Sequence, residues 1–144
     1  MEPSKYFSEY FDTMYSSLSS IDASKLAEAA EIIWQCSESG KKVMVVGNGG
    51  SAAMASHVAV DLTKAAGIRA VAFNDADLLT CFANDYGYEE WVVEALNAYA
   101  DPGDVAILIS SSGTSQNIVR GADRAKELGL KTITLSGFSE TNDL

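Results

Sequence analysis

Four short apolar runs, separated by longer stretches of helical spacing, constrain the fold of this chain most: Val43–Val46, Ile68–Phe73, Val105–Ile109 and Thr132–Leu135. The first and third are continuous rather than alternating, as a strand covered on both faces requires. Between the runs lie segments with helical periodicity: 52–65, short turns at 77–83, a longer helix at 87–99, and 115–128. Strand and helix alternating at these lengths build βαβ units, hence a parallel sheet with helices on both faces. The expected class is α/β, a doubly wound three-layer α/β/α domain. A length of 144 residues suits one such core. In these sheets ligands bind at the carboxyl ends of the strands, near the point where strand order reverses.

Two helices are expected before the first strand. Tyr6, Phe7, Tyr10, Phe11, Met14 and Leu18 recur at helical spacing within 3–19 and give one aromatic stripe. Such a stripe packs either on the rest of its own chain or on another copy. Asp22 suits the N-cap of a second helix, whose apolar face carries Leu26, Ala29, Ala30, Ile33 and Trp34 and which ends at Gly40.

Charge narrows the partners. A net charge of −10 opposes nucleic acid and anionic membranes, both of which call for a basic surface. The apolar runs are far too short to span a bilayer, and the N-terminus lacks a signal-peptide apolar region. Cys36 and Cys81 are isolated, without metal-type spacing, and read as reduced, partly buried thiols of a cytoplasmic protein. An acidic chain that binds an anion must do so locally, with aimed backbone donors and hydroxyls.

Two loops offer this. Gly47-Asn48-Gly49-Gly50-Ser51 joins the first strand to a helix. Its glycines permit close backbone approach, and the helix start presents free N–H groups to a phosphate or a sugar hydroxyl. Gly47-x-Gly49-x-x-Ala52 also fits a dinucleotide fingerprint, with Asp75 as a loose candidate for the ribose. The third strand breaks the tie. It runs into Ser110-Ser111-Ser112-Gly113-Thr114-Ser115, five hydroxyls and a glycine ahead of a helix. Hydroxyls and helix amides together can satisfy a phosphate without Lys or Arg. An ordinary helix cap needs one such hydroxyl, and a dinucleotide site needs no such cluster.

The runs GNGGSAAMASHVAVDL, FANDYGYEE and DVAILISSSGTSQNIVRGADRAKELGLKTITLSG resemble, in that order, the sugar isomerase (SIS) domain family. The likeness covers about residues 22–137 and is greatest to the phosphoheptose isomerases, which act on sedoheptulose 7-phosphate. The resemblance implies the flavodoxin-like strand order 2-1-3-4, an aldose–ketose isomerisation through an enediol, and a small-molecule sugar-phosphate substrate. It implies sugar contacts from Asn48, Gly49, Gly50 and Ser51, phosphate contacts from Ser110, Ser111, Ser112 and Ser115, and substrate contacts from Asn84 and Asp85. It also implies zinc at His57 and Asp61, with Asp61 as catalytic base; no other cofactor is implied. The residues agree that His57 and Asp61, four apart on one helix, share a face on which they can grip a metal or share a proton.

The chain departs from the family in two ways. Family members carry glutamate where Asp61 stands, and the shorter side chain withdraws the carboxylate by roughly 1.5 Å. Misplacement of that order costs about a hundredfold in rate. Family members also continue past the equivalent of residue 144 with a fifth strand and a helix bearing a glutamine and a second histidine, whereas His57 is the only histidine here. Residues 1–21 are expected to form an oligomerisation helix and 22–144 a SIS domain without its fifth strand, in a homo-oligomer, dimer or tetramer. The alternative function is a non-catalytic module that binds sugar phosphates or proteins.

Overall fold

The computed structural model describes residues 2–139 and 141–144. It forms two compact units, one ending at Ala30 and one from Glu31 to Leu144.

The first unit holds helix α1, Pro3–Ser19, and the first turns of α2, Ala23–Glu38. Pro3 opens α1, where its missing N–H costs nothing. Asp22 starts α2 as expected: its carboxylate accepts the Ser24 amide at 2.8 Å and the Ser24 hydroxyl at 2.7 Å. The rings of α1 stack along the helix, Tyr6 on Tyr10 and Phe7 on Phe11, each pair 6.3 Å apart. The apolar residues of this stripe are exposed, Phe7 by 53% and Phe11 by 61%.

The second unit is the α/β layer structure. Its elements are β1 (Val43–Gly47), α3 (Gly50–Lys64), β2 (Ala70–Ala72), α4 (Ala76–Tyr86), α5 (Trp91–Tyr99), β3 (Val105–Ser110), α6 (Gln116–Glu127) and β4 (Lys131–Ser136). The four strands are parallel in the order β2-β1-β3-β4. Val43 pairs with Val105 and Gly47 with Ile109, so β1 and β3 end side by side.

Alternate residues of the two central strands feed two cores. Met44, Val46, Ala106 and Leu108 pack with Trp91, Val92, Leu96 and Ile118 of α5 and α6. Val43, Val45, Val105 and Ile107 pack with Cys36, Ala55 and Ala59 of α2 and α3. This is the two-sided burial that the continuous apolar runs required.

Four expectations are corrected. The second strand is Ala70–Ala72, not Ile68–Phe73. Ile68 and Phe73 are apolar because they are buried beyond the ladder's ends, 5% and 2% exposed, not because they pair in it. The turns foreseen at 77–83 form a full helix, α4, and the helix foreseen from 87 starts at Trp91 because Gly87 ends α4 with φ 97°. Cys36 is buried as a free thiol, but Cys81 is exposed. Among the described residues no helix is long and apolar enough to cross a membrane.

Candidate functional site

The strand order reverses between β1 and β3, and the loops after these two strands face each other there. A cleft of about 200 Å³ lies between them, lined by Asn48, Ser51, Ile109, Ser110, Ser111, Ser112, Ser115 and Phe138. Among the described residues no lysine, arginine or carboxylate lines it.

The β1 loop turns sharply into α3. A Cβ on Gly47 would sit 2.6 Å from the Ser51 backbone, so this position admits only glycine without a shift in the loop. Gly49 is the N-cap of α3 with φ 54°, and no side-chain cap hydrogen bond is made there. The N-terminal amides of α3 thus remain without a side-chain cap, which is where a helix favours negative charge. Gly49 and Gly50 are exposed, and Ser51 turns into the cleft.

The serine loop is ordered by its own hydroxyls. Ser110, 4% exposed, donates to Ser115 Oγ at 3.2 Å and accepts the Gly113 amide at 3.2 Å. Ser112 Oγ accepts the Thr114 amide at 3.2 Å and the Thr114 hydroxyl at 3.1 Å. Ser115 is the N-cap of α6 but makes no side-chain cap hydrogen bond, so its hydroxyl remains aimed at its serine neighbours and the cleft. Gly113 has φ 68°, and a Cβ there would strike the Asn142 side chain. The segment after β4 ties down the same loop, with the Gly137 amide on Ser111 O at 3.0 Å and the Asp143 amide on Gly113 O at 3.1 Å.

The structure therefore brings together six of the expected residues, Asn48, Ser51, Ser110, Ser111, Ser112 and Ser115. The other expected residues do not line this cleft. His57 and Asp61 pair at 3.4 Å on an exposed face of α3, six and ten residues beyond Ser51. At the helical rise this places them about 9 and 15 Å further along the axis. Asn84 and Asp85 lie in the last turn of α4, where Asn84 donates to Asp85 Oδ1 at 2.8 Å and Cys81 Sγ lies 3.6 Å from Asp85 Oδ2. The Asp85 charge pushes the Cys81 thiol up from its ordinary value. Asp75, the loose ribose candidate of the dinucleotide reading, is the N-cap of α4 and does not line the cleft.

Two residues escaped the sequence reading. Asn117, 3% exposed in the first turn of α6, exchanges carboxamide hydrogen bonds with Asn48 at 2.9 Å each way. Tyr88 donates its hydroxyl to Asn48 Oδ1 at 3.1 Å. The one available signal was an asparagine placed beside Ile118 at the start of an otherwise core-facing helix turn.

A family model described as the SIS domain matches residues 7–137, and so includes most of α1. A phosphoheptose isomerase of Helicobacter pylori is 36% identical over 139 residues, which cover 92% of this chain and 72% of that protein. One of Geotalea daltonii is 41% identical over 119 residues, covering 78% of this chain and 62% of that protein. The solved structure of a phosphoheptose isomerase from Neisseria gonorrhoeae aligns with a TM-score of 0.85 at 32% identity, over 94% of this chain and 73% of that one.

Proposed function

This chain belongs to the SIS domain family, and we propose that it serves as a sugar-phosphate isomerase, interconverting aldose and ketose forms of sedoheptulose 7-phosphate or a similar phosphosugar. One observation supports this reading above the others. Four serines of one loop line a single cleft with Asn48 and Ser51 at the strand-order switch, and among the described residues no cationic side chain lines it. That arrangement suits a phosphate oxygen cluster on the β3 side and a polyol on the β1 side. The phosphoheptose isomerases to which the chain is similar act on such a substrate by name.

Isomerisation through an enediol needs a base to remove a carbon-bound proton and an acid at the carbonyl oxygen. Asp61 is our candidate base, with His57 beside it to share the proton; the pair lies outside the serine cleft, so the sugar would have to extend along α3 to reach it. Zinc is a weaker fit. His57 and Asp61 supply two donors, and among the described residues no group of three or more His, Cys, Asp or Glu could hold a metal. A tetrahedral zinc on this pair would need further ligands from outside these residues, so no step is routed through it. The exposure of the pair, 78% and 62% of the two side chains, favours the second reading, a non-catalytic sugar-phosphate module.

Titration with sedoheptulose 7-phosphate tests binding. Ser112→Ala should weaken it by about 1.5–3 kcal/mol, one hydroxyl contact to a dianion. Unchanged affinity would remove the serine loop from the site. Incubation in deuterium oxide then separates the two readings: an isomerase washes deuterium into the sugar carbon, and a binding module does not.

We also propose a homo-oligomer, dimer or tetramer, with residues 1–21 as its docking element. The exposed rings of α1 support this. Each buried aromatic contributes on the order of 2 kcal/mol, so replacing Phe7 and Phe11 by Ser should shift the protein to monomer. Light scattering at tens of micromolar reads this directly; a monomeric wild type would reject the assembly.

A further inference from the structure

The Asn48 carboxamide is almost fully committed before any ligand arrives. Its nitrogen donates to Asn117 Oδ1 at 2.9 Å, and its oxygen accepts from Asn117 Nδ2 at 2.9 Å and from the Tyr88 hydroxyl at 3.1 Å. A carboxamide has two N–H donors and two oxygen lone pairs. Both lone pairs of Asn48 are taken, and one N–H remains. Asn117 is 3% exposed, so its own carboxamide depends on this exchange for satisfaction. Tyr88 comes from the turn after α4 and is 53% exposed, so it reaches Asn48 from the solvent side.

We propose that Asn117 and Tyr88 are positioning residues that lock the Asn48 carboxamide with a single N–H available, so that this wall of the cleft offers the sugar a donor and takes an acceptor oxygen. The proposal rests on reading the cleft as a sugar-phosphate site. It also gives the Tyr86-Gly87-Tyr88 stretch at the end of α4 a role in that site: the stretch contributes through Tyr88, whose hydroxyl reaches the β1 loop. The hydrogen bonds of the serine loop involve neither residue, so phosphate recognition and sugar recognition are separable.

Tyr88→Phe removes one hydroxyl from a half-exposed ring and leaves the core intact. It should lower affinity for sedoheptulose 7-phosphate about three- to tenfold, the weight of one hydrogen bond, and leave affinity for inorganic phosphate unchanged. In an Asn48→Ala background the same substitution should have no further effect, because Tyr88 acts through Asn48. Effects that multiply would overturn the proposal, since Tyr88 would then touch the ligand itself. The Asn48 side-chain amide resonance supplies a readout without sugar: Tyr88→Phe should move it and hasten its hydrogen exchange. An unmoved resonance sinks the positioning role. If the wild type takes inorganic phosphate but no sugar phosphate, the proposed substrate fails, while the resonance still decides the positioning.

Discussion

Replacing Ser115 by aspartate is expected to abolish sugar-phosphate binding while leaving the protein as stable as before. The two halves of that result come from one position. Ser115 is the N-cap of α6. The serine makes no side-chain cap hydrogen bond that could be lost, and aspartate suits an N-cap position and adds a favourable charge at the helix start. The fold therefore has no reason to weaken, and thermal unfolding should be unchanged or slightly raised. The same carboxylate would stand among the Ser110, Ser111 and Ser112 hydroxyls that line the cleft. A unit charge about 4 Å from a phosphate charge costs about 4 kcal/mol at an effective dielectric near 20, roughly a thousandfold in affinity. Among the described residues no lysine or arginine lines the cleft to offset it. Calorimetric titration and a melting curve on the same sample decide the matter. Retained affinity would mean that the phosphate sits elsewhere, and loss of fold would mean that the Ser110–Ser115 hydrogen bond is needed to hold the loop.

That site was legible in the sequence for a physical reason. Glycines and serines crowd a strand-to-helix junction only where the backbone must approach something closely, and both crowded loops proved to face one cleft. The layer order was legible from the continuous runs at Val43–Val46 and Val105–Ile109, which remain buried on both faces. What stayed hidden depends on pairs distant in the chain. Asn48 and Asn117 are 69 residues apart, and neither sequence neighbourhood signals the other. The edge strand β2 was overread because Ile68 and Phe73 have a strand-like apolar character that comes from core burial outside the ladder. The α4–α5 break was blurred because Trp91, Val92, Ala95 and Leu96 continue an apolar helical spacing just beyond Gly87.

Asp104 carries a contact between elements far apart in the chain as well. It is 1% exposed and lies at the end of the sheet opposite the cleft, just before β3. Its carboxylate accepts the Lys42 ammonium at 2.6 Å, the Lys42 amide at 3.0 Å and the Asp101 amide at 2.8 Å. Lys42, itself largely buried, also pairs with the exposed Asp101 at 2.7 Å. These contacts clamp the starts of β1 and β3 together, 62 residues apart in the chain. Burial alone would push the Asp104 carboxyl up; the Lys42 side chain and the two backbone amides outweigh burial and hold it below its ordinary value. Asp104→Asn keeps the shape but leaves the Lys42 charge only the exposed Asp101 carboxylate as a partner, and breaking a buried pair in this way costs about 3 kcal/mol, on the order of 10 °C in melting temperature. A carboxyl depressed in the folded state contributes stability above its unfolded value of about 3.9, and that contribution is lost as pH falls through the folded value. The wild type should therefore outlast Asp104→Asn at pH 7, and the gap should close on acidification below about pH 4. Urea titrations of both proteins from pH 7 down to pH 3 measure the gap. A gap that persists unchanged into acid would assign the cost to packing instead of charge, and no gap at pH 7 would show the pair adds nothing. Sugar-phosphate affinity should be untouched wherever the variant is folded, because none of these groups lines the serine cleft.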